Sequence, residues 1–173
     1  MTSPSGRIRQ TLLFVFAWSH PTEDNLARAY LNPSEHELYM QMSPPARQHH
    51  LRVLKRLLAQ GEKHPALLKA ALLHDVGKIR YPFSLPEKVL VVLVKACLPR
   101  QFAAWSNGPT EGWRRPFVVS AKHPQWGAKM ALEIGVDELT VELICRHQTH
   151  LAGPPRTEAD DLLQRLQAAD DLS

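Results

Sequence analysis

His74 and Asp75 stand side by side at the end of the apolar run 66–73 (ALLKAALL), and Val76-Gly77-Lys78 follows. A histidine and a carboxylate at the buried end of a helix need partners, because burying an unpaired ionised group is expensive. A hydrogen bond between the two, with Gly77 as a plain helix stop, would satisfy them. A metal ion would also do so, and the spacing of the other imidazoles and carboxylates favours that answer. His49 and His50 lie 25 and 24 residues before His74; His123 lies 48 after Asp75, His147 another 24 on and Asp170 another 23. One ligand-type residue per successive helix is how a bundle builds an internal metal centre. Imidazole with carboxylate suits divalent Fe, Mn, Zn, Co or Ni, with Mg a further candidate, as one ion or two.

Composition supports this allocation. The chain has nine histidines in 173 residues, against roughly four for average usage. Cys97 and Cys145, 48 residues apart with no CxxC, favour neither a disulfide framework nor a zinc ribbon, so a reducing, cytoplasmic setting is expected. With 44% hydrophobic and 22% charged residues the chain reads as one globular domain, not as disorder or a coiled coil. The net charge of +4 favours an anionic small molecule, but no basic cluster marks a binder of nucleic-acid duplexes.

The elements that must position these residues are helices. Periodicity and caps predict helices over 6–18, 22–31, 34–41, 44–60, 65–76, 86–97, 117–134, 137–150 and 157–169. Ser34, Ser43 and Thr157 read as helix starts, the first two beside a proline. Residues 100–115, with Asn107-Gly108-Pro109 and Gly112, read as one long irregular connection. The apolar runs 11–18 (TLLFVFAW) and 89–98 (VLVVLVKACL) read as buried helices; the second holds Lys95 and is about half the length of a membrane span. No membrane association is expected.

Periodicity alone leaves the first ligand open: His50 falls nearer the middle of the apolar stripe that holds Val53 and Leu57, His49 toward its edge. The order His49, then Leu72-Leu73-His74-Asp75-Val76-Gly77-Lys78, then Ala168-Ala169-Asp170 resembles the HD superfamily of metal-dependent phosphohydrolases, H…HD…D, over residues 43–173. The resemblance implies an all-α HD-domain bundle of about 7–9 helices in a single domain, with residues 1–42 capping or extending it. It also selects His49, because His49-His50-Leu51-Arg52-Val53 matches the family's H-x-L-R-V pattern.

His123-Pro124-Gln125-Trp126-Gly127-Ala128 resembles the H-P-x-x-G-A stretch of HD subgroups that bind two metals, and Ile144-Cys145-Arg146-His147 resembles their later histidine. The layout is also that of bacterial HD-type hydrolases that split dinucleoside tetraphosphates symmetrically. The resemblance thus implies His49, His74 and Asp170 on one ion, His123 and His147 on the other, and Asp75 between them. Arg146 stands where cyclic-di-nucleotide phosphodiesterases have a second histidine, no Gly-Tyr-Pro follows, and Pro45 replaces their glutamate, so that particular activity is not implied.

The implied chemistry is phosphoester or phosphoanhydride hydrolysis by metal-activated water, on a small nucleotide-like phosphate ester. Lys78 would contact a phosphate oxygen beside Asp75; Lys122 and Arg146, each next to an expected ligand, would supply further contacts. The plain reading of Lys78 is a solvated lysine at a helix end, and of His147 an imidazole favoured there by the dipole. His123 before a proline reads plainly as a helix-start residue. Trp113 and Trp126 are expected in the core rather than stacked on a base, and His20, His36, His64 and His150 are expected to be non-ligands. The alternative to an enzyme is an HD-fold ligand-binding or signalling module with metal bound and no turnover.

Overall fold

Proline punctuates this chain. The computed structural model describes residues 24–173, and six of the nine α-helices among these described residues begin with Pro at the first or second position. There a missing N–H costs nothing and the fixed φ suits the first turn. The helices are α1 (Asp24–Arg28), α2 (Pro33–Met40), α3 (Pro44–Ala59), α4 (Pro65–Leu73), α5 (Leu85–Cys97), α6 (Pro99–Trp105), α7 (Arg115–Glu133), α8 (Glu138–Arg146) and α9 (Glu158–Asp171). Short 3-10 turns cover Val76–Arg80 and Gly112–Arg114, and no strand occurs among the described residues. The expected helix 6–18 and His20 lie outside the described residues.

Helix α4 is the hub. Seven of its nine residues are buried, all but Pro65 and Lys69, as expected of a helix apolar on every side. It packs on α3, α8 and α9, and α8 in turn packs on α7. The core joins Leu54 and Leu57 of α3, Leu67 and Leu72 of α4, Leu143 and Ile144 of α8 and Leu163 and Leu166 of α9, and it extends to Ala27, Leu38 and Tyr39 of the first two helices. Lys69 leaves this core at an ion pair, 2.7 Å from the fully buried Glu35.

Four expectations are corrected. The cap of α2 is Asn32 and not Ser34: Asn32 Oδ1 accepts from the Glu35 N–H at 2.9 Å and Glu35 Oε2 from the Asn32 N–H at 2.8 Å, because Pro33 takes the first helical position and the cap precedes it. Residues 100–115 are not one irregular stretch, since Pro99 starts the seven-residue α6 before Asn107-Gly108-Pro109 breaks the chain. The run 89–98 is helical but only half covered. Val91 and Val94 meet Phe117, while Val89, Leu90 and Leu93 are 41–50% exposed, because a single small cluster backs this helix. Trp113 is exposed rather than in the core, with the Arg114 guanidinium 5.0 Å from its ring centre.

Candidate metal centre

His74 is the C-cap of α4, and Asp75 opens the 3-10 turn that follows. That turn lies against the middle of α7 with no room between the backbones. A Cβ added to Gly77 would stand 2.0 Å from the His123 carbonyl oxygen and 2.6 Å from the Gly127 nitrogen. Here glycine is required by close approach, and the approach carries Asp75 to His123, one turn before Gly127 on α7. His123 is the residue before Pro124, well inside the helix, and is fully buried; it is not at a helix start.

The two oxygens of Asp75 serve two clusters. Oδ1 lies 3.0 Å from His123 Nε2 and 3.4 Å from His147 Nε2, and the two Nε2 atoms are 3.2 Å apart. His123 Nδ1 donates to the Val119 carbonyl at 3.1 Å and His147 Nδ1 to the Ile144 carbonyl at 2.8 Å. A carbonyl only accepts, so in the neutral ring Nδ1 holds the proton and Nε2 is a bare lone pair. Burial first, then the Lys78 charge, pushes the His123 imidazole down to about 3, with Asp75 opposing. Lone pairs of two nitrogens and a carboxylate oxygen therefore converge, an arrangement that calls for a cation. Ions with ligand bonds of ~2.0–2.2 Å set neighbouring ligand atoms about 2.9–3.5 Å apart. The triangle fits.

The other side of Asp75 is more open. His49 Nε2 lies 2.9 Å from Asp170 Oδ1, and His74 Nε2 lies 3.7 Å from the same oxygen and 4.0 Å from Asp75 Oδ2. His74 Nε2 is buried without a hydrogen bond, and burial, against the pull of Asp75 and Asp170, pushes this imidazole down to about 4. Asp75 Oδ2 also receives the Lys78 ammonium at 2.5 Å. Burial would raise the Asp75 carboxyl, but Lys78 and the surrounding imidazoles outweigh it and hold the group well below the usual carboxylate range. Asp170 is likewise held low: burial raises it, while the His49 hydrogen bond and His74 more than compensate.

His50 is fully buried behind His74. Ring atoms of His49, His50 and His74 come within 4.8 Å of one another and of Asp75, yet proximity is not coordination. The His50 and His74 rings are stacked, with centroids 4.4 Å apart and planes 13° from parallel. A ligating imidazole points its lone pair along its own plane, and two stacked planes do not meet at a shared ion. His50 Nδ1 donates to the Leu72 carbonyl at 2.6 Å, and burial, then the neighbouring imidazoles, drive its pKa far down.

Lys78 is the one expected substrate contact that the structure brings to the cluster. Lys122 is exposed and lines a separate surface cavity of about 410 Å³ with Asn107, Gln125 and Trp126. The Arg146 guanidinium is taken by Glu142 and by Asp160, the latter at 2.5 Å, and ties α8 to α9. The reason is common to both: adjacent helical residues point about 100° apart, so a neighbour of a ligand faces elsewhere. His64 pairs with Glu158 at 3.4 Å, His36 sits against Tyr39, and His150 is exposed, all outside the clusters. Trp126 packs on Tyr81, ring centres 5.1 Å apart.

Sequence reasoning missed three residues. Gln148 Nε2 lies 3.4 Å from His123 Nε2. Gln167 Nε2 donates to the His147 and Thr149 carbonyls at 2.9 and 2.8 Å, holding the turn that carries His147. Lys88 of α5 is pushed down to about 8, by burial first and then by the charge of Lys78, so it shares the field of the cluster. Adjacency to His147 was the only signal for Gln148; the other two carried none.

Imidazoles and carboxylates from α3, α4, α7, α8 and α9 gathered around one shared aspartate make this an α-helical bundle with a cluster able to hold a metal ion. A model of the HD domain family matches residues 47–173, and the chain belongs to that family. No curated protein and no solved structure matches it. HD domains are commonly metal-dependent hydrolases, and the His/Asp clusters here point to a divalent ion. No helix among the described residues is long and apolar enough to cross a membrane.

Proposed function

We propose that this protein is a metal-dependent phosphohydrolase or phosphodiesterase that cleaves a small nucleotide-like phosphate ester with water as the nucleophile. Asp75 Oδ1, His123 Nε2 and His147 Nε2 would hold one ion; His49, His74 and Asp170 would hold a second, with Asp75 Oδ2 shared toward it. When bound, such ions supply Lewis acidity and lower the pKa of water. The protein's own part is to keep His74 and His123 neutral by burial, to fix the His123 and His147 tautomers through backbone carbonyls, and to place the Lys78 ammonium beside the reacting phosphate. Lys78 has three donors and uses one on Asp75 Oδ2, so it can receive a phosphoryl oxygen without leaving the cluster. In this reading residues 43–173 carry the whole site, the helices within 24–42 extend the bundle, and free Cys97 and Cys145 suit a reducing, cytoplasmic setting.

The observation that carries the proposal is the triangle of lone pairs at Asp75, His123 and His147, with edges of 3.0, 3.2 and 3.4 Å. The test is elemental analysis of the purified protein, followed by a phosphoester screen with Mn, Fe(II) and Co. Metal-free protein without activity under every metal would sink it. One observation favours a second reading, a binding or signalling module that holds metal without turnover: the wider 3.7 and 4.0 Å spacings around His74. Metal with nucleotide binding but no hydrolysis would select that alternative.

A further inference from the structure

Gln148 sits in the turn that ends α8, half-buried, and its carboxamide spans from the metal centre to helix α5. At one end Nε2 is 3.4 Å from His123 Nε2, the atom that faces both Asp75 Oδ1 and His147 Nε2. At the other, Oε1 accepts from the Lys95 ammonium at 3.4 Å. The two contacts agree on one orientation. A lysine ammonium has donors only, so it takes the amide oxygen, and a lone pair of His123 takes the amide N–H. Turning the amide over would set NH₂ against an ammonium and a carbonyl against the lone pairs. Lys95 is itself placed from α5, with Nζ 5.3 Å from the centre of the Phe102 ring.

We propose that Gln148 is an anion-binding residue of this centre, donating an amide N–H to a phosphoryl oxygen of the substrate, and that Lys95 is the positioning residue that keeps the amide so turned. The inference rests on the metal-dependent reading above. An ion that takes the His123 lone pair frees the Gln148 N–H at the point where a phosphate would approach, and the amide brings this donor without the charge a carboxylate would set against the anion. It also gives α5, whose outer face is apolar and exposed, a polar link to the site.

The test uses the full chain as wild type, Gln148→Ala, Gln148→Glu and Lys95→Met. Bound metal is read by elemental analysis, and the affinity of the metal-loaded protein for inorganic phosphate by calorimetry. A hydrogen bond to a charged oxygen predicts a loss of about tenfold or more in phosphate affinity for Gln148→Ala. A larger loss is expected for Gln148→Glu and a smaller one for Lys95→Met, all with metal content kept. Unchanged phosphate affinity in Gln148→Ala overturns the inference, as does a wild type that holds metal but no phosphate. Metal lost in Gln148→Ala and kept in Gln148→Glu would make the side chain a metal ligand instead and equally refutes it. A wild type without metal defeats the metal reading itself, and this inference with it.

Discussion

Gly77 meets His123 backbone to backbone: the space a side chain would need at Gly77 is filled by the His123 carbonyl oxygen, 2.0 Å from where a Cβ would stand. This contact sets the distance between the turn bearing Asp75 and the helix bearing His123. Gly77→Ala is expected to destabilise the protein by about 1–3 kcal/mol, the usual range for overpacking, and to lose bound metal as the 3.0 Å approach of Asp75 to His123 opens. At Gly127 an added Cβ meets the Gly77 nitrogen at 3.1 Å, so Gly127→Ala should be milder. Thermal melts and metal content of the two variants check the order.

The two adjacent histidines of α3 should behave differently. His49→Gln removes the imidazole 2.9 Å from Asp170 and should lower metal content. His50→Leu keeps that contact and should retain metal, while leaving the buried Leu72 carbonyl without its donor, a cost of about 1–3 kcal/mol. Elemental analysis and denaturant titration of both separate a ligand from a residue that packs behind one.

Asp75 faces both clusters, so Asp75→Asn should abolish bound metal altogether, whereas His147→Gln should spare whatever the His49, His74 and Asp170 side holds. Chelation of the wild type should lower its melting temperature, because a ligand present at 100 times its dissociation constant stabilises the fold by about 2.7 kcal/mol. Equal metal content in the two variants would contradict a shared aspartate.

The metal-free protein should lose stability in mild acid. His74 and His123 have folded pKa values pushed down to about 4 and about 3, below the ordinary 6.5, so the unfolded chain binds more protons and stability rises with pH across this window. Their contribution is full above about pH 6.5 and disappears as pH falls toward 4 and then 3; for His74 alone it is on the order of 3 kcal/mol. Asp75 and Asp170, held low, extend the loss below the usual carboxylate range. Denaturant midpoints of chelated wild type and His123→Gln between pH 4 and 8 test this, with a shallower slope expected in the variant.

Much of the arrangement is legible in one dimension. Residues 66–73 (ALLKAALL) can only be a buried helix, and an imidazole and a carboxylate at its end require partners wherever the chain folds. The ligand-type histidines stand out because nine imidazoles in 173 residues exceed average usage and fall one per successive helix. Adjacency misleads, however. Lys122 and Arg146 are next to expected ligands in sequence and point elsewhere, and His50, in the apolar stripe, stacks behind His74 rather than facing the cluster. The Gly-Pro signals after Asn107 conceal α6, because breakers mark where a helix stops and say little about the short one before them.

By itself the sequence determined the helical class, the HD membership and the residue types able to hold an ion, because periodicity and side-chain chemistry are local properties of the chain. Which imidazole plane faces Asp75, that Arg146 is spent on Glu142 and Asp160, and that the Gln148 amide reaches His123 were decided only in three dimensions. Those features depend on crossing distances between helices distant in sequence, and the Gly77–His123 contact that sets one of them is visible only once the helices are packed.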